Sequence, residues 1–149
     1  MKITPYRLKV FIDTNVLVDF LLLDREKHAI ARELFQLVYT HQVEGVVSSQ
    51  SILDASYICK KKHHVIQPVF REAIMELRDK AIVDSINSFD IQDAMRDPNE
   101  DLEDNAHIAF AYNQGCDVLL TNDQRFLSRE VPAPMKVMPP EDFVNLFRA

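Results

Sequence analysis

Four aspartates stand where carboxylates can do chemistry: Asp13, Asp54, Asp104 and Asp123. Asp13 closes the short apolar run Val10-Phe11-Ile12 and is followed at once by a hydroxyl and an amide, Thr14 and Asn15. The amphipathic apolar run Val16 to Leu23 comes next, so the segment reads as strand, tight turn and helix. In an open α/β sheet, ligands bind beyond the carboxyl ends of the strands, which is where this reading puts Asp13. Asp117-Val118-Leu119-Leu120-Thr121-Asn122-Asp123 repeats the arrangement late in the chain. Two strands that each deliver an Asp to one sheet edge make an acidic, metal-binding site. Oxygen-only ligation points to a hard ion, Mg²⁺ or Mn²⁺. Such an ion lowers the pKa of a bound water and clamps phosphate oxygens in an in-line displacement.

Each aspartate also has a plainer reading. Asp13 suits the cap of the helix that follows it, although Thr14 or Asn15 serves equally well, and Asp123 suits the cap of a short helix ending near Phe126-Leu127. Asp101 and Asp104 form an i, i+3 pair close enough for two carboxylates to interact. Beside Asp104, the stripe Ala106, Ala109, Phe110 and Asn113 predicts close packing of this helix on the sheet. Glu100 and Glu103 read better as a solvated first turn. Ser48 or Ser49 is the expected cap of the helix carrying Asp54, whose buried face is Ile52, Ala55, Ser56 and Cys59 with Asp54 at its margin. His107 reads as a partner-bonded or exposed helical residue.

The elements that must position these groups follow from periodicity and punctuation. Strands are expected at 8–12, 44–47, 82–84, 117–120 and 136–138. Helices are expected at 15–23, 26–42, 49–62, 66–80, 87–96, 101–114, 123–128 and 140–147. Short apolar strands alternating with helices imply an α/β fold: a doubly wound, mostly parallel sheet flanked by helices on both faces. Gly45 and Gly115, the two glycines, fall where a helix stops and a strand begins. Pro132-Ala133-Pro134 reads as a turn before the last strand, and Pro139-Pro140 opens the final helix.

The chain has 149 residues, 47% apolar and 27% charged, which suits a single domain spanning 1–149 with its own core. No apolar run approaches the ~20 residues of a membrane span, and the first residues lack the apolar centre of a signal peptide, so the expected compartment is cytoplasmic with no membrane partner. Cys59 and Cys116 are expected as buried thiols. Net charge is −6, and eight of the acids fall between Asp84 and Asp104 against one base, Arg96. A cation at an acidic site offsets part of that charge, so a phosphodiester substrate stays open despite the absence of a basic footprint.

Taken in order, Val10-Phe11-Ile12-Asp13-Thr14-Asn15, Ser51-Ile52-Leu53-Asp54, Asp104 with Ile108-Ala109-Phe110-Ala111, and Leu120-Thr121-Asn122-Asp123-Gln124-Arg125-Phe126 resemble the motifs of PIN domains. The group that looks most similar is the small single-domain bacterial PIN proteins, VapC-like toxins among them. The resemblance implies a Mg²⁺- or Mn²⁺-dependent ribonuclease built on acids. Asp13, Asp104 and Asp123 would hold the metal, with Asp54 as a weaker ligand or a base for the attacking water. Asn15 and Thr121 match the polar residues that support the first and fourth acids, Thr14 stands beside them, and Asp101 is a further supporting acid. The second acid of the pattern is usually Glu, and Asp54 is one methylene shorter.

The resemblance also implies RNA as substrate, either a toxin's role with an antitoxin as partner or a housekeeping role in RNA processing, and a surface that meets a partner helix or forms a homodimer. Apolar residues in excess on helices 26–42 and 49–62 (Ile30, Leu34, Phe35, Leu37, Val38; Ile52, Leu53, Tyr57, Ile58) suggest the surface concerned. Lys60-Lys61-Lys62 either complements a helix C-terminus or contacts RNA phosphates. Tyr39 and Tyr57 are expected to pack rather than to stack on bases. The competing function is a catalytically weak or inactive PIN domain that binds RNA or protein. A haloacid-dehalogenase-like phosphatase needs a second Asp two residues after the first, where this chain has Asn15. No Gly-x-Gly-x-x-Gly supports dinucleotide binding.

Overall fold

The computed structural model describes residues 6–148. In chain order the elements are β1 (Lys9–Ile12), α1 (Thr14–Leu21), α2 (His28–Tyr39), β2 (Glu44–Ser48), α3 (Ser49–His63), α4 (Gln67–Lys80) and β3 (Ile82–Asp84). There follow α5 (Ser88–Arg96), α6 (Leu102–Asn113), β4 (Val118–Leu120), α7 (Gln124–Leu127), β5 (Lys136–Met138) and α8 (Pro140–Asn145). The strands form one sheet in the order β3-β2-β1-β4-β5, and every strand pair is parallel. The chain winds outward from β1 through β2 to β3, then returns to the other side of β1. The reversal between β1 and β4 is the topological switch point, where such sheets open a crevice.

Alternate strand residues supply two cores because both faces of the sheet are covered. Val10, Ile12, Val47, Val118 and Leu120 point into the larger core, with Leu17, Leu34, Phe35, Val38 and Phe143. Phe11, Val46 and Leu119 point the other way, against Ile108, Phe110, Ala111 and Phe126. Both cysteines are free and buried. No helix among the described residues is long and apolar enough to cross a membrane.

Three expectations change. On α2, Leu34, Phe35 and Val38 are buried in the core, and Tyr39 packs edge-on to Phe35. On α3, by contrast, Leu53 and Tyr57 are exposed, so Tyr57 does not pack as expected. Helix α6 is buried from Asn105 to Ala111 rather than along one stripe, because the sheet lies on one side and α5 on the other. Asn113 is exposed and donates to Asp90 (2.8 Å) and Asp93 (3.1 Å) of α5.

Gly115 follows α6 in a left-handed conformation (φ 77°), as expected at a helix exit. Gly45 does not do this: it lies inside β2, and His41 (φ 60°) makes the turn after α2. A Cβ on Gly45 would stand 2.9 Å from Cγ1 of Val38, so glycine is required for α2 to lie close on the sheet. Valine is stiff and cannot swing away. Gly45→Ala is therefore expected to destabilise the fold by about 1–3 kcal/mol. Urea denaturation checks this, and Val38→Ala added to Gly45→Ala should recover part of the loss.

Candidate active site

Parallel strands place all their carboxyl ends on one edge, and a helix leading into the next strand must begin at that edge. Asp13 leaves β1 there, Asp123 follows β4, Asp54 lies one turn into α3 after β2, and Asp104 sits in the first turn of α6. All four line one cleft of about 480 Å³, together with Thr14, Asn15, Asp101, Glu103 and His107.

Asp13 is buried and held from several sides. It caps α1: Oδ1 accepts the Thr14 N–H at 2.8 Å. Oδ2 accepts the Thr121 hydroxyl at 2.8 Å and the Asn15 amide at 3.2 Å. The same Thr121 oxygen accepts the Asp123 N–H at 3.1 Å, so one hydroxyl bridges two acids. Thr14 acts elsewhere: its hydroxyl donates to Ser51 (2.9 Å), which is also bonded to Ser48, the cap of α3. This ties the start of α1 to the start of α3 and fixes Asp54 relative to Asp13. Asp54 itself is partly buried and accepts a hydrogen bond from Gln50 at 3.0 Å. Asp123 also caps α7, through the Arg125 N–H at 3.0 Å.

Asp101 is the cap of α6 rather than a residue within it, and accepts the Asp104 N–H at 3.0 Å. The loop before it is clamped from outside. Arg129 donates to Asp97 (3.1 Å) and to Asn105 (2.6 Å), and Asn105 in turn donates to the Asn99 carbonyl (2.8 Å). Much of the acidic tract is thus structural: Asp97 belongs to this clamp, Asp90 completes the capping box of α5, and Asp84 accepts from Gln114. Asp101, Glu103 and Asp104 are the part of it that faces the cleft.

The acids repel one another. Burial pushes the Asp104 carboxyl up to about 6, helped by the charge of Asp101 and a hydrogen bond to it, then by the charges of Asp13 and Asp123. Among the described residues, no three His, Cys, Asp or Glu side chains are drawn close enough to form a ready-made cation cage. The donor set is nevertheless all oxygen, as a hard divalent ion requires.

His107 is buried against the Phe11 ring rather than exposed or partner-bonded, and its Nε2 has no hydrogen-bond partner. Of the basic run, Lys62 lines the cleft with His63, whereas Lys60 and Lys61 do not. Asp54, Ile58 and Lys62 recur every fourth residue, so Lys62 stands about 12 Å along the axis of α3 from Asp54.

A second layer was not legible in the sequence. Asp19 is buried on α1 and accepts from Arg25 Nε at 3.0 Å and from the Asn122 amide at 3.2 Å. The Asn122 N–H donates to Asn15 at 3.3 Å, which leads back to Asp13. An Asp inside an apolar helix carries no spacing signal. Its unexplained polarity was the one available cue.

A family model described as a PIN domain matches residues 9–125. Ribonuclease VapC1 of Aquifex aeolicus is 25% identical over 143 residues, covering 91% of this chain and 92% of that protein. Among solved structures, VapC20 of Mycobacterium tuberculosis, titled a sarcin-ricin loop cleaving toxin, matches with a TM-score of 0.66 at 14% identity. That match covers 83% of this chain and 96% of the other, and is a likeness of fold.

The crowded carboxylates set a pH dependence. A carboxyl whose pKa is raised by folding binds more protons in the native state than in the unfolded one, so stability falls as pH rises from its ordinary value toward about 6. Asp84, held below its ordinary value by the Ser85 N–H and Gln114, acts oppositely but at lower pH. Thermal unfolding in chelator should therefore give a melting temperature that declines between about pH 4 and 6.5. Asp104→Asn should flatten that slope and raise the melting temperature at pH 7. Mg²⁺ should restore the wild type at pH 7 and do little for the variant.

Proposed function

Because the chain belongs to the PIN domain family, we propose that it is an endoribonuclease dependent on Mg²⁺ or Mn²⁺. It hydrolyses RNA phosphodiester bonds in the cleft of Asp13, Asp104 and Asp123. The carrying observation is that three acids 91 and 19 residues apart in sequence converge on the switch point of the sheet. They line one cleft there, and burial first, then the neighbouring carboxylates, drives Asp104 up to about 6. Uncompensated crowding of this kind is unfavourable, and a divalent cation is its natural complement.

In this reading Asp13, Asp104 and Asp123 would hold the metal. When bound, the metal supplies an acidified water and neutralises charge on the phosphate. Thr121 and Asn15 fix the rotamer of Asp13, and Thr121 keeps Asp123 in register with it. Asp54, across the cleft, accepts a proton from the attacking water. The water oxygen bonds to phosphorus, the P–O3′ bond breaks, and the leaving oxygen takes a proton from solvent. Lys62 holds the strand at a neighbouring phosphate. We read residues 1–149 as one such domain, supported by two cores packed on a single sheet.

The likeness to a ribonuclease and a toxin supports RNA as substrate, an antitoxin chain as partner, and the cytoplasm as compartment. Leu53 and Tyr57 on α3 are the exposed apolar side chains a second copy would cover. One observation favours the alternative of a weak or inactive binding module: Asp54 is short and already bonded to Gln50.

The deciding experiment is cleavage of a mixed pool of single-stranded and structured RNA, with Mg²⁺, with Mn²⁺ and with chelator. Cleavage should need the metal, and Asp13→Asn should leave below about 1% of it. If no metal supports cleavage while RNA still binds, the module reading stands. Asp54→Glu should lower the Mg²⁺ concentration for half-maximal activity by about tenfold, since the longer side chain reaches the metal directly.

A further inference from the structure

Arg25 lies in the turn between α1 and α2, and it lines both the acidic cleft and the adjoining cavity that contains Asn15, Lys27, Asn122 and Asp123. Its backbone is fixed: its N–H donates to the Leu22 carbonyl (3.3 Å), and its carbonyl accepts the His28 N–H (3.0 Å). The His28 ring bonds the Asp19 carbonyl at 2.9 Å, which pins the same turn to α1. The side chain is held by Nε on buried Asp19 at 3.0 Å. This is a side-on pairing. A pair serving only to neutralise Asp19 is best made fork to fork, with two parallel hydrogen bonds. Here the second oxygen of Asp19 is taken by Asn122, and among the described residues Nη1 and Nη2 of Arg25 have no protein acceptor. The side chain is 37% exposed and lines the cleft. Nor is Arg25 ion-paired, among the described residues, with any of the four cleft aspartates.

A planar guanidinium with two free donors, held by a buried carboxylate beside an acidic cleft, suits a phosphate oxygen. We propose that Arg25 is a phosphate ligand of this site. Its Nη1 and Nη2 donate to a nonbridging oxygen of the RNA phosphodiester seated on Asp13, Asp104 and Asp123, and Asp19 and Asn122 are the positioning residues that hold it there. The proposal rests on the ribonuclease reading. As water bonds to phosphorus and the P–O3′ bond breaks, charge on the nonbridging oxygens is met by a cation that stays protonated at every working pH. The chain Arg25–Asp19–Asn122–Asn15–Asp13 then registers the guanidinium against the acids through hydrogen bonds alone.

The test separates a phosphate ligand from a mere counter-ion of Asp19. Arg25→Gln should lower kcat by about 100-fold or more, with KM changing far less. Arg25→Lys, which keeps charge but loses the fork, should recover only part of that. Arg25→Gln also leaves Asp19 buried and unpaired, so its melting temperature should fall. The double variant Asp19→Asn with Arg25→Gln should regain the melting temperature without regaining kcat. If it regains both, Arg25 is only a counter-ion and the proposal is overturned.

A second readout needs no catalysis. In an Asp13→Asn background, binding of a labelled single-stranded RNA is followed by fluorescence anisotropy against salt. Arg25→Gln should reduce the slope of log K against log salt by about 0.7, the value for one phosphate contact on a single strand. An unchanged slope overturns the proposal. If wild type fails to cleave with any metal, the ribonuclease reading falls by itself, and the salt slope still decides whether Arg25 meets phosphate.

Discussion

Mutual repulsion among carboxylates is the constraint on which this structure turns. A parallel sheet cannot scatter the ends of its strands. Once Asp13 ends β1 and Asp123 follows β4, the pairing of those two strands at the switch point makes the acids neighbours. Helix α6 must begin at the same edge because it leads back into β4, and so Asp104 joins them. Burial and neighbouring charge push Asp104 up to about 6, a cost that the proposed cation would relieve.

The polar side chains around the acids fall into two groups with different tasks. Thr121, Asn15 and the Thr14 N–H donate to Asp13, which converts a flexible carboxylate into a fixed one. Ser48, Ser51 and the Thr14 hydroxyl form a separate bridge between α1 and α3 that sets the width of the cleft. Neighbours in sequence therefore do unlike work: the Thr14 amide serves the acid, and its hydroxyl serves the scaffold. Asp19 extends the first group outward to Arg25, so a cation is registered against the acids without being neutralised by them.

Asp13 and Asp123 were legible because strand, turn and acid are contiguous in sequence, and the same holds for the sheet that carries them. Asp104 and Asp54 were legible only as positions one turn into a helix, which the family resemblance then placed. What escaped depends on contacts between distant segments. Asp19 meets Asn122 across 103 residues, and no local pattern encodes that. His107 read as partner-bonded or exposed from its place one turn into the helix after Asp104, yet it is buried against Phe11 of β1, a contact between segments far apart in sequence. Gly45 read as a helix stop because glycine often is one. Its reason is instead the approach of Val38, a residue from the preceding helix.

The clamp at Arg129 explains why the acids cannot simply separate. A surface loop carrying excess negative charge ordinarily relaxes away from other acids. Here Asp97, Asn99 and Asn105 are bonded to one another or to Arg129, and Asp101 donates its own N–H to Asn99. Beyond that loop, α6 is buried from Asn105 to Ala111 between the sheet and α5. Its first turn therefore has no freedom to tilt away from the cleft. With retreat blocked, the charge on Asp104 is relieved either by taking up a proton or by a cation between the carboxylates. The placement of α6 thus acts together with burial and the neighbouring acids on the charge of Asp104.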